Sequence, residues 1–191
     1  IHPVGDFDSA VDMCEQALDL AENDDEVVDA LLLMFDGLMA KGDFDAAKAI
    51  TGRFPEGPFE NPNHTFLVGR ALYEVGEVDR SAPLVESVLE TQPTHSEALY
   101  YLGLIRDERG EVGPATEAFL RARELDLEQP PPPWALSREA FELKARAAVL
   151  SIKDELKAFL RDGEVYVTDV PGVEVVVDGV DPRALLLLDG V

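Results

Sequence analysis

The chain has 191 residues, 46% of them hydrophobic, and a formal net charge of −23 from 39 acidic against 16 basic side chains. That length holds one domain plus a small second one, and the apolar fraction suffices for a sizeable core. The charge repels phosphate backbones and anionic membrane surfaces, so nucleic acid and membrane are not expected partners, whereas basic ones are favoured. A single cysteine, Cys14, excludes an internal disulfide. With no run of about 20 apolar residues and no leader pattern, the expected setting is cytoplasmic.

From Gly5 to about Ala21 the pattern predicts a helix, with Asp6 and Asp8 where free backbone N–H groups favour acids. Ala10, Cys14 and Ala17 fall at spacings suited to close packing between helices, which makes Cys14 a core thiol. Asp24 and Asp25 are expected to cap the next helix, which runs to about Lys41. Its apolar run Leu31-Leu32-Leu33-Met34-Phe35 is wide enough for burial on more than one side. Gly42 closes that helix in the left-handed conformation that glycine tolerates. Ala46, Ala47 and Ile50 belong to its partner. Two prolines and a glycine within Arg53-Phe54-Pro55-Glu56-Gly57-Pro58 then break the helix.

Asn61-Pro62 opens the next helix, with Phe66, Val68, Gly69, Leu72 and Tyr73, ending at Gly76. Its partner spans about Asp79 to Thr91, with Leu84, Val85, Val88 and Leu89 inward. A further pair carries Leu99, Leu102, Gly103 and Ile105, then Ala115, Phe119 and Ala122, and ends near Leu127. His64 and His95 fall at or just before helix starts, where exposed or capping roles are expected.

These pairs repeat. Gly42, Gly76 and Gly110 are 34 residues apart, as are Gly69 and Gly103, and Phe35 takes the place of those two in the first copy. The turns read Gly42-Asp43-Phe44-Asp45, Gly76-Glu77-Val78-Asp79 and Gly110-Glu111-Val112-Gly113, with Gly5-Asp6-Phe7-Asp8 as an earlier, displaced copy. A fixed period of this size with helical patterning marks a helix–turn–helix array. The array resembles the tetratricopeptide repeat (TPR) family. That family's small residues at the eighth, twentieth and twenty-seventh repeat positions match Gly103, Ala115 and Ala122, and less fully Gly69, Ser81 and Val88. The resemblance implies an α-solenoid over 1–129 whose first helices line a concave groove. Leu32, Asp36, Met39, Phe66, Arg70, Tyr73, Tyr100, Leu104 and Asp107 are the expected groove residues. Their aromatic floor and acidic flanks suit a protein or peptide partner that is apolar with basic residues. No cofactor is expected.

Pro130 to Pro133 form a stiff extended linker, 130–136, in which Trp134 is expected to dock on a neighbouring helix. Over 137–191 a small α/β segment is expected, making the whole chain mainly α. Ser137 caps a long helix to about Arg161. Alternation around Val165 and Val167 predicts a strand, Pro171-Gly172 a turn, and the β-branched run Val173 to Val177 a second strand.

Ser137-Arg138-Glu139-Ala140-Phe141, Val165-Tyr166-Val167 with Asp169, and Gly179-Val180-Asp181-Pro182-Arg183-Ala184-Leu185 resemble the N-terminal part of the bacterial minimal matrilysin-like zinc peptidase domain. That family would allow helix or loop at Val173 to Val177. Its HExxH helix does not occur before Val191, and His2, His64 and His95 all lie outside the segment, so no zinc ligand carries over. The leading expectation is therefore a protein–protein interaction scaffold. The alternative is a zinc-dependent metallopeptidase whose HExxH half is missing from this chain.

Overall fold

In a computed structural model the described residues are 7–57, 59–154 and 166–187. Nine α-helices occur among them: α1 (Phe7–Leu20), α2 (Asp24–Lys41), α3 (Phe44–Ile50), α4 (Pro62–Glu74), α5 (Val78–Thr91), α6 (Ser96–Glu108), α7 (Val112–Glu128), α8 (Arg138–Ser151) and α9 (Val173–Val177). A single 3-10 turn, Thr51–Arg53, follows α3. The chain divides into two compact units, Ile1–Ala122 and Arg123–Val191, each described by itself.

In the first unit three corners share one geometry. Gly42, Gly76 and Gly110 have φ of 81°, 80° and 75°. At each corner the glycine N–H donates to the carbonyl three residues back, and the following N–H to the one five back: Gly42 to Met39 and Asp43 to Leu38, Gly76 to Tyr73 and Glu77 to Leu72, Gly110 to Asp107 and Glu111 to Arg106. This pairing satisfies orphan carbonyls at the helix end and reverses the chain in a few residues, which sets one helix of a pair against the next. The fourth copy, at Gly5, lies outside the described residues.

Small residues then decide how closely the pairs pack. Ala47, Ser81 and Ala115 recur at the same repeat position and are all buried. Ser81 Oγ donates to Gly69 O at 2.7 Å, which ties α5 to α4 at their closest approach. A Cβ on Gly69 would meet Leu84 Cβ and Val85 Cγ2 at 3.2 Å, and one on Gly103 would meet the Phe119 ring at 2.4 Å. Where Phe35 replaces this glycine, its ring is fully buried in a cluster with Val28, Leu31, Ala47, Ile50 and Leu72. The opposing α3 has only seven residues and presents Ala46 and Ala47, so bulk on one helix meets little on the other.

Three expectations in this unit are corrected. The cap of α2 is Asn23, whose side chain accepts from Glu26 N at 3.0 Å, while Asp24 and Asp25 lie in the first turn. Cys14 is buried as expected, but Ala10 and Ala17 are exposed. His64 is buried rather than exposed. Its Nδ1 lies 3.0 Å from Asp25 Oδ1 and its Nε2 2.9 Å from Asp29 Oδ1, so it bridges α4 to the first two turns of α2. His95 does cap α6, through Nδ1 and Ala98 N.

In the second unit the α/β expectation fails, because no strand occurs among the described residues. Tyr166 to Thr168 is not strand, and Val165 lies outside the described residues. The β-branched run Val173–Val177 is helical: Val176 N–H donates to Gly172 O, and Gly179, at φ 95°, closes the turn. A lone five-residue strand leaves its backbone groups unpaired, whereas one helical turn pairs them internally, so context overrides propensity here. Arginines hold this unit's segments: Arg123 Nε donates to Pro171 O, Arg138 Nη2 to Val167 O, and Arg183 makes a two-pronged pair with Asp126.

The helix expected from Ser137 to Arg161 keeps its Ser137 cap, but it ends at Ser151, where Ile152 turns to extended backbone. Positions 155–161 lie outside the described residues. Trp134 does not dock on a helix. It is 84% exposed and lines an open cleft of about 660 Å³ with Pro131, Leu136, Arg138 and Phe141.

Candidate partner-binding surface

The first helices of the pairs, α2, α4 and α6, carry the expected groove residues. Two of these residues are not available to a partner. Leu32 and Phe66 are buried in the two core clusters of the first unit. Phe66 is covered by the His95 ring at 4.7 Å and the Tyr101 ring at 5.8 Å. Met39, Arg70, Tyr73, Tyr100 and Leu104 are half-buried, while Asp36 and Asp107 are exposed.

The packing draws several of these residues together. Arg70 Nη2 lies 3.3 Å from Asp36 Oδ1, which links α4 to α2. Its Nε is 3.4 Å from Glu74 Oε1, an ion pair without hydrogen-bond geometry. Tyr101 O–H donates to Glu74 Oε1 at 3.0 Å, which links α6 to α4. Tyr73 and Tyr101 meet edge to face at 5.5 Å and Tyr100 and Tyr101 at 5.8 Å, while Tyr100 and Phe119 meet at a tilt, 5.9 Å apart. Edge-to-face aromatic contacts of this kind add about 0.5–1.5 kcal/mol beyond burial, so the row is a rigid surface.

Electrostatics follow the same map. Burial raises the Tyr73 phenol above its ordinary range, and the carboxylates of Glu108 and Asp107 push it further. Tyr101 is raised more strongly, first by burial and then by Glu74. Tyr101, Glu74 and Glu108 are functional candidates that sequence reasoning missed. Tyr101 and Glu74 each sit one residue beyond an expected groove position, and only inter-helix packing pairs them. The remaining chemistry-bearing groups point to structure: burial raises the Cys14 thiol and keeps it a poor nucleophile. Among the described residues no group of three His, Cys, Asp or Glu is placed to hold a metal ion.

Residues 67–130 match the tetratricopeptide repeat family. That segment runs from within α4 to just past α7, and so takes in the Gly76 and Gly110 corners. The fold also resembles those of solved structures. "MamA RS-1 ArsTM double mutant" is 22% identical over 65% of this chain and 68% of its own, with a TM-score of 0.53. "MamA 41-end from Desulfovibrio magneticus RS-1" is 22% identical over 65% and 69%, with a TM-score of 0.52. "Crystal structure of MamA" is 23% identical over 63% and 69%, also at 0.52. At these identities the likeness is one of fold. No curated protein matches the chain. Among the described residues no helix is long and apolar enough to cross a membrane.

Proposed function

We propose that this chain is a protein-interaction scaffold that receives a protein or peptide partner on the shared face of α2, α4 and α6. The observation that carries this reading is the aromatic row of Tyr73, Tyr101 and Tyr100. It spans two successive first helices, is partly open to solvent, and is flanked by exposed acids. A rigid amphipathic surface of this type suits an extended or helical segment, with aromatic contact supplying affinity and carboxylates selecting basic residues. The partner is therefore apolar with basic residues, and a cytoplasmic setting fits the single free thiol.

The test is to isolate the partner by crosslinking to the intact chain and to measure its affinity for Tyr73→Ala and Tyr100→Ala. Both variants are expected to keep their helical circular dichroism and to lose at least tenfold in affinity. Affinity unchanged in both would remove the groove from the account. The metallopeptidase alternative draws no support from the family match, which covers residues 67–130 and ends before the segment that carries that resemblance.

A further inference from the structure

Arg70 is the one cation among the nine expected groove residues. On a face that selects basic segments, a free guanidinium would repel the partner. The geometry shows that its charge is already matched. Arg70 Nη2 donates to Asp36 Oδ1 at 3.3 Å, across the 34-residue step from α4 to α2. Its Nε lies 3.4 Å from Glu74 Oε1, one turn on along α4, and is itself shut off from solvent. The same Glu74 Oε1 accepts the Tyr101 O–H at 3.0 Å from α6. A polar chain, Asp36–Arg70–Glu74–Tyr101, therefore crosses all three first helices. Its last member carries the ring that meets both Tyr73 and Tyr100 edge to face. The Arg70 and Glu74 side chains are 28% and 30% exposed, so water competes only in part for these contacts.

We infer that Arg70 is a positioning residue of the groove: it holds the Glu74 carboxylate where the Tyr101 hydroxyl meets it, and thereby fixes the aromatic row against which the partner lies. This rests on the groove reading and gives Arg70 a role exerted through other side chains, not as a contact for the partner's charge. Without the guanidinium, the Glu74 carboxylate loses its ionic partner and is better hydrated turned toward water. The Tyr101 hydroxyl then loses its acceptor, and the ring is free to rotate away from its two neighbours. A residue that acts in this way has no effect of its own once Tyr101 cannot answer to Glu74, which makes the inference separable from simple charge repulsion.

The experiment is a double-mutant cycle on the intact chain, with variants whose circular dichroism shows the helices kept. The probe is a fluorescent helical peptide with leucines at i and i+4 and lysine at i+3, at physiological salt. Arg70→Met and Tyr101→Phe are each expected to weaken binding about fivefold, the scale of one ordinary hydrogen bond. The double variant should bind no more weakly than the weaker single one, whereas independent effects would multiply to about 25-fold. The ligand-free chain gives a second readout. Labelled with 3-fluorotyrosine, its Tyr101 fluorine signal should move in Arg70→Met and in Glu74→Ala, and return toward the parent position in Glu74→Gln, which keeps an accepting oxygen. Multiplying losses, tighter peptide binding by Arg70→Met, or a Tyr101 signal that stays put overturns the positioning role while the groove reading stands. A peptide that binds neither parent nor variants overturns both.

Discussion

His64 Nε2 lies 2.9 Å from Asp29 Oδ1, although 35 residues separate them in the chain. The contact joins the start of α4 to α2 across a repeat boundary, and Asp25 takes the other ring nitrogen. His64 is 7% exposed, so losing either partner leaves a nearly buried polar ring short of a hydrogen bond. Hydrogen bonds to charged groups contribute about 1.5–3 kcal/mol, and these two share one ring. We expect His64→Ala to lower the stability of the repeat unit by about 2 kcal/mol in urea unfolding. Asp25→Ala with Asp29→Ala, which removes both ring partners, should lower it comparably. Stability unchanged in both would mean that the bridge contributes nothing to holding the repeats together.

The three corner glycines make a matched set. Nothing lies within 4 Å of a Cβ built on Gly42, Gly76 or Gly110, so the cost of alanine there is backbone strain alone. Positive φ costs an ordinary residue about 1–2 kcal/mol, and asparagine less. Each Gly→Ala variant should therefore lose a similar amount, with Gly→Asn losing less at every corner. A corner whose alanine variant is as stable as the parent would not have the left-handed geometry described.

Gly103 differs because its constraint is space. An alanine Cβ would lie 2.4 Å from Phe119 Cδ1 and Cε1, forcing the ring to move and disturbing its contact with Tyr100. Against this, alanine in place of a helical glycine gains up to about 1 kcal/mol in propensity. Overpacking costs about 1–3 kcal/mol, so Gly103→Ala should be destabilising by about 1 kcal/mol net. Adding Phe119→Leu should recover the loss. Thermal unfolding of the single and double variants reads this directly, and a stabilised single variant would contradict the close approach.

The Tyr73 and Tyr101 phenols should titrate above an ordinary tyrosine. Tyr73 and Tyr101 are both raised, chiefly by burial, so folding favours their neutral forms. A phenol raised in this way contributes stability below its unfolded value of about 10, and that contribution fades as pH climbs beyond it. Alkaline spectrophotometric titration should show these two phenols lagging behind free tyrosine until the fold gives way. Tyr101→Phe should remove one lagging phenol. Asp107→Asn with Glu108→Gln should bring the Tyr73 transition down, which checks the proximity of those acids without any ligand.

The period of 34, the corner glycines and the small residues at fixed repeat positions were legible as local signals, because helix ends and close helix pairs demand particular residues whatever surrounds them. The fates of His64, Phe66 and Tyr101 were not legible in this way. Each depends on which neighbour's side chain arrives from another helix, a matter of inter-helix distance and angle that no single segment encodes. Val173–Val177 marks the same limit from the other side: its β-branched run favours a strand only if another strand is there to pair with it. The amino-acid order by itself determined the helix pairs and their spacing. Tertiary packing alone decided which groove residues stay open, which acids surround Tyr73, and that the expected second strand is a helix, because burial and pairing are properties of contacts between segments.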